Sequence, residues 1–342
     1  IMQLLIRQNW RTEVLQAREQ LPKSGEGAPP MPLAELLAQA QSGQVIETIG
    51  KVRKLAQAGH LRTAMDEAFD SFKYAPTYLP LHTLIGDLLI QDGRTQDAIA
   101  KYTVVAEAYS VRGEATQAVN LLRRIVQVAP MDLTIRTRLI DQLAARGLVD
   151  EAINEYMNLA DIYYRLAELD MARKTFTTAL QLAQQGGAQD AWSVKLMRRM
   201  ADIDMQRLDW RQALRILEQI RTLQPSDATI RKSLIDLNLR LAQVSQAGAE
   251  LENYLAYLQS SNRRKEAIPF LEDLVNELPK QSILHLALAE EYRHARRIPD
   301  AVSQLETRNE LLIAAGDREG AIQNLETILS MNPPHIEKYR SL

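Results

Sequence analysis

The stretch DLLIQDGRTQDAIAKYTVVAEAYSVRGEATQAVNLLRRIVQVAP, from Asp87 to Pro130, returns without a gap from Asp141 as DQLAARGLVDEAINEYMNLADIYYRLAELDMARKTFTTALQLAQ. It returns twice more, from Asp236 as DLNLRLAQVSQAGAELENYLAYLQSSNRRKEAIPFLEDLVNELP and from Glu290 as EEYRHARRIPDAVSQLETRNELLIAAGDREGAIQNLETILSMNP. Alanines hold the alignment at 98, 152, 247 and 301, and again at 118, 172, 267 and 321, with a step of 54 residues from 98 to 152 and from 247 to 301. Pro76, Pro130, Pro225, Pro279 and Pro333 close the units; the interval from 130 to 225 leaves room for one full unit and a short one of 41 residues. That short unit, near 185–225, has space for two helices where the others have three. Units of this kind cannot bury their apolar faces alone and do so on their neighbours.

Within a unit, apolar residues recur three and four apart, as in Ile153, Tyr156, Met157, Ala160 and Tyr163, the stripe of an amphipathic helix. Helix breaks are expected near Gly93, Gly113, Gly147 and Gly316, because glycine takes the left-handed conformation of a helix stop. Each register alanine falls early in the helix that follows, where a one-carbon side chain lets two helices approach closely. Working outward, residues 33–342 read as one helical repeat domain, with about fifteen antiparallel helices over 33–333. The Pro- and Gly-rich segment 21–32, LPKSGEGAPPMP, reads as a linker, and residues 1–20 as a separate amphipathic helical arm.

Composition agrees with an all-α chain: 46% of the 342 residues are hydrophobic and only 5% aromatic. The 41 basic and 43 acidic residues leave a net charge of −2, which supplies no overall field for nucleic acid. The absence of cysteine excludes disulfides, thiol nucleophiles and cysteine zinc sites, and suits a cytoplasmic location. No apolar run is long enough for a membrane span. Neither phosphate-cradling loop nor a nucleophile elbow occurs, and the five histidines, 60, 82, 285, 294 and 335, are scattered. The sequence therefore points away from an enzyme, and no cofactor or metal is expected.

The order of small residue, aromatic or Leu, Ala four positions before another aromatic or Leu, then Pro, resembles the tetratricopeptide repeat. From Arg136 onward the matching residues are Leu139, Ile140, Leu143, Ala152 and Tyr156, then Leu159, Ala160, Tyr163, Ala172 and Phe176. The resemblance covers about residues 43–333 and implies a right-handed α-solenoid. It departs from the family in two ways. Steps of 34 and 20 residues alternate, so that the middle helix closes one motif and opens the next. The tryptophan that often starts the motif is replaced by His82, Arg136, Arg231 and His285.

Fold and resemblance together imply a protein- or peptide-binding scaffold without chemistry of its own, as a module of a larger protein or complex. The alternative is a regulatory helical-repeat domain that senses a ligand or peptide. An acidic residue recurs behind the crossing residue at Asp87, Glu107, Asp141, Asp161, Asp202, Asp236, Glu290 and Glu310. As a ladder it would receive a basic peptide, with Asp87, Asp141, Asp161, Asp236 and Glu290 as candidate contacts. As a solvent-facing or helix-start position it would do nothing of the kind. Tyr102, Tyr109, Tyr156 and Tyr163 give way to leucines in the later units and read as core, whereas Tyr164 and Tyr257 lie off the stripe and read as exposed aromatic anchors. Trp192 and Trp210 flank a helix pair of the short unit. The basic clusters at 123–124, 198–199, 263–265 and 296–297 fall at differing places in their units and make no continuous phosphate track. After Pro333 the residues PHIEKYRSL match the opening of a further unit, so more sequence, a covering partner or self-association through an open end is expected there.

Overall fold

The computed structural model describes residues 43–73, 75–187 and 190–331; the expected arm, linker and unit opening after Pro333 lie outside them. Among the described residues there are sixteen α-helices, two short 3₁₀ turns and no strand. The chain divides into two compact units, one ending at Thr175 and one beginning at Phe176. The first holds α1 (Gly43–Gln57), α2 (Leu61–Asp70), α3 (Leu79–Gln91), α4 (Thr95–Val111), α5 (Ala115–Val128), α6 (Leu133–Ala145) and α7 (Val149–Arg165). The division falls within α8 (Leu169–Gln185). The second holds α9 (Asp190–Gln206), α10 (Trp210–Leu223), α11 (Ala228–Arg240), α12 (Val244–Ser260), α13 (Ala267–Glu277), α14 (Ser282–His294), α15 (Ile298–Ala314) and α16 (Arg318–Ser330). Within each unit the closest packing is between helices consecutive in the chain. The segment 185–225 contains two helices, α9 and α10.

Crossings are set by small residues. Ala98, Ala118, Ala152, Ala172, Ala247, Ala267, Ala301 and Ala321 are all buried. Gly86 makes a very tight approach between helices, since a Cβ there would stand 2.3 Å from Cε1 of Tyr102. That space lets the Tyr102 ring sink almost completely, to 1% exposure. Ile140 occupies the place of Gly86 one unit later, and Tyr156, the counterpart of Tyr102, stays half-exposed. The expected tyrosine core thus holds for Tyr102 and Tyr109 and stops short at Tyr156 and Tyr163, which are both only partly buried.

Most helix ends share one backbone device. Gly59, Gly93, Gly113, Gly147 and Gly316 have φ between 70° and 82°, and each is followed by an N–H that reaches back five residues. Arg94 donates to Leu89 at 2.9 Å and Glu114 to Tyr109 at 2.9 Å, closing the wide ring of a Schellman stop. Ala167, Leu208, Ala242, Asn262 and Arg296 make the same stop with φ between 57° and 60°. Left-handed residues therefore fall at 93, 113, 147 and 167, and at 242, 262, 296 and 316, alternating intervals of 20 and 34. Between these runs they fall at 187 and 208, where the proline loop and its short helix are missing.

The proline loops use a different lock. Asp132 and Asp227 cap the helices that follow, accepting from Ile135 N at 3.0 Å and Thr229 N at 2.9 Å. Six residues after each of Pro76, Pro130, Pro225 and Pro279, a side chain turns back to donate to the proline carbonyl. His82 Nε2 lies 2.8 Å from Pro76 O, Arg136 Nη2 3.1 Å from Pro130 O, Arg231 Nη2 3.1 Å from Pro225 O, and His285 Nε2 2.9 Å from Pro279 O. A carbonyl only accepts, so both histidines donate to it through Nε2. Nineteen residues further on stands the partner of the other arm. Arg136 pairs with Glu155, Arg231 with Glu250 at 2.5 Å, and His285 Nδ1 meets the Gln304 amide at 2.8 Å. At His82 that position is Lys101, whose ammonium sits 5.4 Å from the Phe72 ring on which His82 itself stacks. The residues that replace the motif tryptophan are thus loop fasteners, polar and turned inward.

Two outcomes follow from these locks. A non-glycine residue in the left-handed region costs about 1–2 kcal/mol, and glycine gives back about 0.5–1 kcal/mol through unfolded-chain entropy. Leu208 is 72% exposed and loses little packing, so Leu208→Gly is predicted to stabilise the chain by roughly 0.5–1 kcal/mol in urea denaturation. A loss of stability would show that the stop carries no strain. His82 is held below its ordinary value of 6.5 first by burial, then by the charges of Lys101 and Arg112, against the opposing bond to Pro76. The unfolded histidine then takes its proton at higher pH than the folded one, so this contribution is complete above about 6.5 and fades as pH falls below it. The urea midpoint should drop further between about pH 7.5 and 5.5 in the wild type than in His82→Gln; parallel profiles would contradict the assignment.

Candidate functional site

Between α4 and α6, over α5, the first unit holds an open cleft of about 380 Å³. Its floor is apolar, with Ala106 and Leu122 both buried. Val111, the last residue of α4, stands at its mouth and is 89% exposed. Glu107 and Arg138 form an ion pair on the rim, and Thr103, Ser110 and Gln142 add uncharged polar groups. Asp141 completes the rim from α6, exposed and without a paired arginine or lysine among the described residues. Its carboxylate raises the pKa of Tyr156, where burial is the larger cause. The local sequence explains the arrangement: the buried stripes of α4 and α6 run through Tyr102, Ala106 and Tyr109 and through Leu139, Ile140 and Leu143. Residues one helical step beside those stripes are left on the cleft wall.

The carboxylates of the expected ladder fall into different surroundings. Asp87 accepts from Tyr102 Oη and pairs with Arg124, while burial and that bond push the Tyr102 phenol well above its ordinary range. Asp236 pairs with Arg240 one turn on, at 2.8 Å. Asp161 is half-buried on α7, and Glu290 is exposed on α14. Only Asp141 and Glu107 of the series share the cleft. Tyr164 is half-buried on α7; Tyr257 is half-buried on α12, its ring stacked on Tyr254 at 6.2 Å and packed against the core of the second unit.

The basic clusters are engaged in ion pairs: Arg123 with Glu151, Arg198 with Asp227, Arg263 with Glu266 and Arg297 with Asp300. Trp192 is half-buried, with Lys195 Nζ 5.0 Å from its ring centre. Among the described residues no helix is long and apolar enough to cross a membrane, and no three His, Asp or Glu side chains are grouped as metal ligands. Val111 and Arg138 were not among the residues singled out from the sequence. Val111 lies off the apolar stripe, and that is the one signal that could have marked it.

With this geometry in place, residues 101–243 match the family described as Tetratricopeptide repeat protein 21 ARM repeat. No curated protein matches the chain. Similar solved structures include the complex of the TPR2AB domain of yeast Sti1 with pHSP90, at 12% identity over 84% of this chain and 98% of that one, with a TM-score of 0.34. A tetratricopeptide repeat protein from Parabacteroides merdae is 16% identical over 84% of this chain and all of that one, with a TM-score of 0.24. YrrB, described as a TPR protein with an unusual peptide-binding site, is 12% identical over 65% of this chain and 89% of that one, with a TM-score of 0.26. Among the described residues the chain is an all-α helical repeat, its residues 101–243 are similar to that tetratricopeptide family, and no partner or site is carried over from these structures.

Proposed function

We propose that this protein is a scaffold that holds another protein or an extended peptide against its helical repeats and carries out no chemistry itself. The observation that supports this most is the open cleft of the first unit, where a largely exposed valine stands above an apolar floor among polar rim groups. Repeat stacks supply such surfaces because each helix buries one stripe and presents the other to solvent. Its volume of about 380 Å³ lies near the lower end of ligand pockets and suits a side chain or two of a partner rather than a cofactor. Exposed carboxylates such as Asp141 and Glu290 favour a basic partner over nucleic acid, and the lack of cysteine accords with work in the cytosol. Self-association through an open end of the repeat is a further route to assembly.

The test is affinity capture with the full chain from its native source, followed by reconstitution from purified components. The reading predicts a protein partner in stoichiometric amount that rebinds directly, with association weakened by salt. A small molecule that binds alone and changes the scattering radius, with no protein partner recovered, would favour the regulatory alternative and contradict the scaffold.

A further inference from the structure

We infer that the cleft between α4 and α6 receives a segment of chain bearing an aliphatic side chain beside a lysine or arginine. This rests on the scaffold reading and adds the chemistry of what is held. Two features of the cleft define two halves of an occupant. The apolar half is Ala106 and Leu122 below and Val111 at the mouth; an aliphatic side chain laid there would remove a valine from water along with itself. Solvated polar rim atoms around a dry floor are the arrangement in which one buried anchor contributes most of the binding energy.

The charged half is Asp141. Two of its three counterparts in the repeat show what the fold does with this carboxylate when it is needed internally: Asp87 is tied to Arg124 and Tyr102, and Asp236 to Arg240, while Glu290 is exposed. Asp141 has no such arginine. Across the cleft, Glu107 and Arg138 satisfy each other, so the rim presents one carboxylate unmatched by a cation. A cation a few ångströms from the aliphatic anchor matches that charge. An acidic segment would meet Asp141 and Glu107 with like charge, and a wholly apolar one would leave Asp141 crowded and unpaired. The remaining rim groups, Thr103, Ser110 and Gln142, can bond to the main chain of an extended segment.

The experiment pans a displayed library of random twelve-residue peptides against the full chain and against two surface variants, Val111→Glu and Asp141→Lys. Both residues are exposed, and circular dichroism with urea denaturation checks that each variant folds as the wild type does. The wild type is expected to enrich peptides with Leu, Ile, Val or Met within two positions of Lys or Arg. Synthetic copies should bind each variant at least tenfold more weakly, and more weakly to the wild type at high salt. Enriched peptides that lack the cation, that are acidic, or that bind both variants as well as the wild type would overturn the assignment while leaving the scaffold reading standing. Enrichment of no peptide would also overturn it, and the capture experiment then decides the broader reading by itself.

Discussion

Among the described residues, the proline loops at Pro76, Pro130, Pro225 and Pro279 each leave a carbonyl to be satisfied, and the side chain six residues on satisfies it. A proline loop must turn the chain through two helix axes while shielding backbone groups that the following helix cannot bond. His82, Arg136, Arg231 and His285 do this from inside the following helix, and Arg136, Arg231 and His285 also hold the next helix with their other end. The partner changes in step with the fastener: glutamate faces each arginine, and glutamine faces His285. Charge is therefore balanced inside the pair rather than conserved by residue type. At His82 the facing residue is Lys101, and neutrality is kept by the histidine, whose protonation is opposed by burial and by that lysine.

The fold was legible in the sequence because its determinants are local and periodic. Alanines at helix crossings, glycines at stops and prolines at unit ends each impose a backbone or packing requirement that no neighbouring residue can supply. The non-glycine stops were not legible, since Ala167, Leu208, Ala242 and Arg296 carry no sign of a left-handed backbone in their chemistry; only their intervals from the glycines place them. The depth of the tyrosines was not legible either. Tyr102 and Tyr156 stand at the same place in the repeat, and their difference in burial follows Gly86 against Ile140 on the facing helix.

Less of the candidate site could be read. The spacing of the acidic residues was visible, but the pattern gave no means to tell a carboxylate used internally from one left to solvent. That distinction depends on arginines elsewhere in the chain: Arg124, 37 residues from Asp87, and Arg240, a turn from Asp236. Asp141 differs through the absence of such a partner, which a repeat alignment reads as identity. In the sequence the fasteners stand out only as departures from the tetratricopeptide pattern. Their meaning needed the distance to a backbone carbonyl, an atom that every residue has and no sequence marks.

The account stands most directly on the exchange of one fastener for another. Arg136 is 6% exposed and its partner Glu155 is itself partly buried, so Arg136→Met, which abandons both Glu155 and the Pro130 carbonyl, is expected to cost about 2–4 kcal/mol in urea denaturation. The double change Arg136→His with Glu155→Gln copies the His285 and Gln304 pair into the same place of another unit, and should bring stability back to within about 1 kcal/mol of the wild type. A double variant no more stable than Arg136→Met, or an Arg136→Met variant as stable as the wild type, would contradict the claim that these side chains fasten the proline loops.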